Sequence, residues 1–173
     1  MRSVLVLLLA ALLAACGGST SQPLPLLPVS ALPELRSSAH DVDIEDLAAD
    51  FGGGKATFPG FVQGRERVFQ GASERFHTVV SRTLEFEDAG AAEAYVTYFR
   101  THLAAMFGTG TNAKPVESKG RRGYLVDAAS CACHRAEPTL AAVVARGTRV
   151  SYLEVNGGGA KPAALEALLA LAP

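Results

Sequence analysis

The stretch that decides the fold is residues 76–107, which read FHTVVSRTLEFEDAGAAEAYVTYFRTHLAAMF. In its first part, 76–86, apolar and polar side chains alternate, and this two-residue period predicts a β-strand. The residues that share one face of the strand are Phe76, Thr78, Val80, Arg82, Leu84 and Phe86. One face of this strand is therefore expected to lie against a hydrophobic core.

A helix follows this strand directly. Asp88 is a suitable N-cap, and Gly108 suits the helix end because glycine readily adopts the left-handed conformation found there. Between them, apolar side chains recur at helical spacing and form one stripe. The stripe consists of Ala92, Tyr95, Val96, Phe99, Leu103, Met106 and Phe107. The sequence thus predicts one amphipathic helix over residues 89–107.

Shorter patterns on both sides complete the element order. The predicted elements are a helix over 44–51, strands over 61–69, 124–128, 139–146 and 150–155, a loop over 108–122, a hairpin turn at 146–149 and a helix from Pro162. The strands are not separated by regular helical crossovers, which argues against a doubly wound parallel sheet. The order predicts a single α+β domain, with an antiparallel sheet and helices packed mainly on one face.

Composition and charge exclude one class of partner. The chain has 173 residues and a formal net charge of −1. A nucleic-acid partner normally requires a basic face that displaces counterions, so no nucleic-acid partner is expected. The same balance gives no reason to expect strong attraction to anionic lipid head groups. Arg65, Glu66 and Arg67 form a local charge cluster that is predicted to be exposed.

The first fifteen residues have the pattern of an export signal. Arg2 supplies positive charge, and the apolar run over 4–13 is about half of the roughly 20 residues that span a bilayer. The run leads into Leu13-Ala14-Ala15-Cys16, which resembles the lipobox of bacterial lipoproteins. This resemblance implies that residues 1–15 are removed and that Cys16 carries lipid. The protein would then be anchored in the cell membrane or envelope, facing outside the cytoplasm.

Residues 16–35 are predicted to connect the lipid to a domain at 36–173. Gly17, Gly18 and Ser19 favour a flexible start, and four prolines between 23 and 33 stiffen the chain toward polyproline II. This composition predicts a tether that lifts the domain off the membrane. In the alternative interpretation, the leucines between the prolines pack on the domain.

Cys131, Cys133 and His134 form the short motif with the most chemical potential. With Cys16 acylated, two cysteines remain in an oxidising compartment, and a Cys131–Cys133 disulfide is the first interpretation. Two separate thiols are the second. The third is a thiol redox centre assisted by His134, and the fourth is a metal site completed by His77 or His102.

No complete catalytic motif is found in the sequence, and we predict a non-enzymatic protein without a cofactor. The segment Gly52-Gly53-Gly54-Lys55-Ala56-Thr57 lacks the glycine spacing and the Ser or Thr after lysine that a phosphate-binding loop requires. No serine lies in a Gly-x-Ser-x-Gly elbow. A ligand between the long helix and the sheet would contact Tyr95, Phe99 and Met106, unless this stripe is simply core.

The domain also resembles small lipoproteins of actinobacteria and the extracellular sensor domains of some of their receptor kinases. The segments that carry this resemblance are 82–86 running into 88–95, the cysteine-containing loop, and 143–150. The resemblance covers about residues 40–172 and implies a binding or sensing role without catalytic residues.

Three functions are therefore carried forward. The first is a membrane-anchored domain that binds or senses a small ligand. The second is an exported thiol redox or metal-handling protein that uses Cys131, Cys133 and His134. The third is a structural lipoprotein that docks another envelope protein.

Overall fold

The computed structural model describes residues 23–53, 57–128 and 138–173. Its strands are β1 (Arg36–Val42), β2 (Phe61–Gln70), β3 (Thr78–Phe86), β4 (Asn112–Ser118), β5 (Arg121–Ala128), β6 (Thr139–Arg146) and β7 (Arg149–Asn156). Its helices are α1 (Ile44–Asp50), α2 (Ala89–Thr101), α3 (Leu103–Phe107) and α4 (Pro162–Leu171), with a short 3₁₀ turn at Val29–Ala31.

The strands form one antiparallel sheet in the order β1-β2-β3-β7-β6-β5-β4. Strands that follow one another in the chain are neighbours, except that α2 and α3 carry the chain from β3 to the far edge strand β4. The predicted hairpin is confirmed, with Arg146 opposite Arg149 and Gly147 in a left-handed conformation at φ 57°. Of the helices in the described residues, none is both long enough and apolar enough to cross a bilayer.

Both faces of the sheet are covered, which confirms an α+β fold. One hydrophobic cluster lies under α1, α2 and α3, and a second lies under α4 and residues 23–35. Strand β6 shows the division, because Ala141 and Val143 belong to the first cluster while Leu140, Ala142 and Val144 belong to the second. Three helices pack on one face, which we call the helical face, and α4 packs on the other.

Two strands were not predicted. Strand β4 lies where a loop over 108–122 was expected, and β1 had no counterpart in the sequence analysis. Both are edge strands, and their residues are mostly exposed or half-buried. Pro115 lies within β4, where proline is tolerated because an edge strand leaves part of its backbone unpaired. Edge strands do not need an apolar stripe, so neither strand carries the pattern that reveals a buried strand.

The predicted single helix over 89–107 is divided at His102, whose φ of −117° and ψ of 21° are not helical. The Thr101 hydroxyl donates to the Tyr98 carbonyl at 2.9 Å, and His102 Nδ1 lies 2.9 Å from the same oxygen. Side chains that compete for main-chain carbonyls weaken a helix locally. The prediction was therefore right about the buried stripe and wrong about helix continuity.

Residues 23–35 pack on the sheet instead of extending away from it. Leu27, Leu32 and Leu35 are buried against the face opposite α2, and Leu24 is also buried. The main chain of this segment is also held, since the Leu27 amide donates to Ser81 Oγ at 3.0 Å and Arg67 donates to the Leu27 carbonyl at 2.6 Å. The alternative interpretation, in which the leucines pack on the domain, therefore describes residues 23–35. Residues 16–22 lie outside the described part of the chain.

This packing leads to a prediction about stability. Leu27 is fully buried, and Leu27→Ala should lower the free energy of unfolding by about 2–5 kcal/mol through lost burial and the resulting cavity. Val29, two residues further on, is 48 % exposed, and Val29→Ala should change it by less than about 0.5 kcal/mol. Urea denaturation of both variants checks this. Equal, small effects would show that the segment is not part of the cooperative fold.

Candidate functional site

The predicted residues with the clearest chemistry lie outside the described chain. These are Cys16, Cys131, Cys133 and His134. The lipidation, disulfide, redox and metal interpretations of these residues therefore stay predictions.

The predicted ligand-facing residues separate into two groups. Tyr95 is 3 % exposed and Phe99 is fully buried, and both belong to the core under α2. Met106 is half-buried and lines a cavity on the helical face. For Tyr95 and Phe99 the structure shows the core alternative, and only Met106 lies where a ligand could contact it.

This cavity has a volume of about 360 Å³ and two kinds of wall. Its apolar side chains are Val80, Met106, Phe107 and Ala128. Its polar side chains are Asp50, Glu66, Arg82, Thr139, Tyr152 and Glu154. Small-molecule sites usually have a mainly apolar lining with a few polar groups, whereas polar side chains are the majority in this cavity.

Sheet register brings the polar groups together. Glu66 on β2 lies directly opposite Arg82 on β3, and Arg82 lies opposite Tyr152 on β7. Directly opposed residues in an antiparallel sheet point to the same face, so these three side chains form a row across the helical face. Asp50 approaches the row from above as the last residue of α1.

The geometry of α1 fixes the position of Asp50. Asp43 caps the helix by accepting from the Asp46 amide at 2.9 Å, and the Asp46 carboxylate accepts from the Asp43 amide at 3.1 Å. This reciprocal pair is a capping box, which stabilises the first turn of a short helix. At the other end, Phe51 packs edge-to-face on Tyr98 with ring centroids 5.0 Å apart.

Arg82 is the centre of the cluster. Its Nε donates to Glu66 Oε2 at 2.7 Å, its Nη2 lies 2.6 Å from the same oxygen, and its Nη1 donates to Asp50 Oδ2. Its guanidinium also lies over the Tyr152 ring, 5.7 Å from the centroid. Burial alone lowers the pKa of Arg82, but the charges of Asp50 and Glu66 outweigh it and raise the pKa above its ordinary value. Arg82 is therefore a permanent cation.

The cluster contains more negative than positive charge. One guanidinium faces the carboxylates of Asp50 and Glu66, and the Glu154 carboxyl group lines the same cavity. The only other nearby base among the described residues is His40, whose Nε2 lies 3.7 Å from Glu66 Oε1 and whose side chain is 54 % exposed. With His40 neutral, Asp50, Glu66 and Arg82 together carry a net charge of −1.

Tyr152 and Glu154 form a second buried pair, in which the Tyr152 hydroxyl donates to Glu154 Oε2. Burial raises the pKa of Glu154, although its bond from Tyr152 and the charge of Arg82 act in the opposite direction. Burial, together with the Glu154 charge, raises the pKa of Tyr152 well above its ordinary value. Tyr152 is thus a neutral donor, and Glu154 is a carboxyl group biased toward its protonated form.

Sequence reasoning missed most of this site. Glu66 was placed in an exposed charge cluster, yet it is 7 % exposed and bound to Arg82. One residue in the sequence did indicate the site, namely Arg82. It lies on the same face of β3 as the core residues Leu84 and Phe86. A charged residue on such a face requires a partner on a neighbouring strand.

The described residues contain no group of three or more His, Cys, Asp or Glu side chains arranged to hold a metal ion. His77 and His102 are both exposed. The ring of His102 stacks on Tyr98 at a centroid distance of 3.8 Å.

The raised pKa of Glu154 leads to a prediction about pH. The folded protein holds its proton to higher pH than the unfolded chain, so Glu154 contributes stability that is lost as pH rises above about 4.5, through its folded pKa. Glu154→Gln keeps the Tyr152 bond without the charge. The variant should match the wild type at pH 4 and exceed it at pH 8, by about 1.4 kcal/mol for each unit of pKa shift. Urea denaturation at both values checks this, and a difference independent of pH would contradict it.

Comparison with known proteins gives no family for this chain. No protein-family model matches it, and no match is found among curated proteins.

Proposed function

We propose that this protein is a lipid-anchored, exported binding protein that holds a small ligand in the cavity of the helical face. The ligand would carry a cationic or hydrogen-bond-donating group, and the protein would bind it without catalysing a reaction. The observation that carries this proposal is the buried cluster of Arg82, Asp50 and Glu66, which has excess negative charge and lines an open cavity.

The energetics of burial support a binding role. Removing charges from water costs several kcal/mol for each ion, and well-packed apolar residues often give equal or greater stability than a buried ion pair. Here the charged groups also line an open cavity, so they gain less from close packing than an ion pair that is surrounded by protein on all sides. Buried and perturbed ionisable groups in a cleft are typical of functional sites.

The charges and shape of the cavity indicate the chemistry of the ligand. A positive or donating group would find the carboxylates of Asp50 and Glu66 and the acceptor oxygens of Glu154, and it would offset the net charge of the cluster. The carbon part of the ligand would face Met106 and Phe107. The ring of Tyr152 already faces one cation, Arg82, and aromatic rings favour such contacts.

The lipid anchor rests on the export signal and on the resemblance of residues 13–16 to a lipobox. Two or three acyl chains would hold the protein on a membrane, since each buried methylene contributes about 0.8 kcal/mol. The redox or metal-handling alternative, through Cys131, Cys133 and His134, stays a prediction. So does the alternative of docking an unknown envelope protein.

Binding is tested with a matched pair of probes, butylamine and butyric acid, which have the same carbon skeleton and opposite charge at pH 7. Butylammonium should shift the amide signals of Met106 and Tyr152 saturably in an NMR titration, and butyrate should not. Asp50→Asn keeps an acceptor for Arg82 but removes one negative charge. Because a hydrogen bond to a charged group is worth about 1.5–3 kcal/mol, this variant should bind butylammonium at least about tenfold more weakly.

Glu45→Gln is the matched control, because Glu45 is exposed on the same helix. It should leave the affinity unchanged. No saturable shift with butylammonium, or equal effects of the two substitutions, would contradict a cation-binding cavity.

A further inference from the structure

A second cleft lies at the end of the sheet that holds the β4–β5 and β6–β7 turns. Its volume is about 590 Å³, and its charged lining residues are Lys119, Arg121, Arg146 and Arg149. The hydroxyl groups of Thr83, Thr148 and Ser151 also line it. We call it the basic cleft. Its lining also includes Pro173, the last residue of the sequence, whose main-chain oxygen accepts hydrogen bonds from Arg121 and Ser151.

The four cations are not equally available. Arg121 is buried and donates to the carbonyls of Leu169, Ala172 and Pro173, so it mainly holds the end of α4. Arg149 lies 3.6 Å from Glu85. For Lys119 and Arg146, no ion pair is found within the described part of the chain. Two exposed cations therefore face the cleft without a partner.

Arg121 and Arg146 also oppose each other electrostatically. Burial lowers the pKa of Arg121, and the neighbouring charge of Arg146 lowers it further. Like charges held close together cost free energy, and an anion between them would offset that cost. The Thr148 hydroxyl could donate a further hydrogen bond to such an anion, whereas Ser151 already donates to Pro173 O and Thr83 to the Pro25 carbonyl, each at 2.7 Å.

The turn that carries Lys119 gives further support for an anion site. Lys119 has a φ of 52°, and it is the single non-glycine residue with positive φ in the described chain. Gly120 follows with a φ of 72°, so both central residues of this turn are left-handed. Such turns favour asparagine followed by glycine. Lysine is disfavoured in this left-handed conformation, so the turn geometry does not explain its presence. The property that Lys119 adds to the turn is its positive charge.

The chain enters the domain at the same end of the sheet. Pro23 lies in a recess with Gly64 and Arg65, near the start of β2. The carbonyl of Pro25 accepts a 2.7 Å hydrogen bond from Thr83, a residue that also lines the basic cleft. Cys16 precedes Pro23 by seven residues, which reach at most about 25 Å when fully extended. A lipid on Cys16 would therefore keep this end of the domain close to the membrane.

Some acidic residues at this end lie apart from the basic cleft, whereas Glu85 lies 3.6 Å from Arg149 and Glu117 lines a neighbouring pocket together with Arg146. Asp43, Glu45 and Asp46 belong to the corner between β1 and α1, and β1 is an edge strand. Strands β2 and β3 separate this edge from β7, which carries Arg149.

We propose that the basic cleft binds the phosphate group of an anionic lipid in the membrane that holds Cys16. This inference rests on the lipid anchor of the proposed function, but not on the ligand of the helical-face cavity. It replaces the expectation, drawn from net charge alone, that anionic head groups exert no strong attraction. The contact orients the domain, with the basic cleft against the membrane.

The test uses the chain from residue 16 with Cys16→Ser, which retains every described residue but cannot be acylated. Co-sedimentation with vesicles of equal parts phosphatidylglycerol and phosphatidylcholine should show binding, and vesicles of phosphatidylcholine alone should not. Lys119→Asn places a favoured residue in the left-handed turn and removes the charge, so the fold is retained. It should weaken vesicle binding about fivefold, the effect expected for one basic residue at a membrane surface.

Arg36→Gln is the control with the same charge change, because Arg36 is exposed at the opposite end of the sheet. It should leave vesicle binding unchanged. Equal weakening by both substitutions, or no binding to the anionic vesicles, would overturn the proposal. Binding of inorganic phosphate in an NMR titration without vesicle binding would also overturn it, because the cleft would then serve a free anion.

The mass of the protein purified from a bacterial membrane tests the anchor separately. A mass without acyl chains on Cys16 would refute the anchor. Binding of the basic cleft to anionic lipid would then be decided by the vesicle co-sedimentation alone.

Discussion

The packing of the helical face meets at one buried cation, the guanidinium of Arg82, which cannot be left without its partners. It joins β3 to β2 through Glu66 and joins the sheet to α1 through Asp50. The residue after Asp50 is Phe51, which packs on Tyr98 and Phe99 of α2. The end of α1, the aromatic packing beneath it and the walls of the cavity therefore all meet at the same charge cluster. An uncompensated charge at this position would be among the costliest defects the fold could have.

The two proposed binding sites lie at opposite ends of the sheet. The helical face holds the cavity, and Ala128 and Thr139 place part of its lining at the end of β5 and the start of β6. The basic cleft and Pro23 lie at the other end of the strands. An anchor near Pro23 would thus hold the basic cleft against the membrane and leave this part of the cavity directed away from it. Because residues 23–35 are fixed to the sheet, an anchor that precedes them would also fix the orientation of the domain.

Sequence patterns predicted the elements that carry a periodic apolar stripe or a recognisable turn. The alternation in β3 and the stripe on α2 follow from the first signal, and the hairpin at 146–149 follows from its turn residues around Gly147. Strands β1 and β4 escaped prediction because an edge strand can be polar on both faces. The candidate site escaped for a different reason. Glu66, Arg82 and Tyr152 are far apart in the chain, and only the register of β2, β3 and β7 brings them into one row.

The central claim is that the Arg82 cluster exists for binding and is not required for stability. The most direct measurement is the free energy of unfolding of Arg82→Met and of the triple variant Asp50→Ala, Glu66→Leu, Arg82→Met. The single variant leaves two carboxylates without their cation and should lose about 3–5 kcal/mol, whereas the triple variant should equal the wild type or exceed it by about 1–4 kcal/mol. A triple variant as unstable as the single one would contradict the claim, because the cluster would then be a structural necessity.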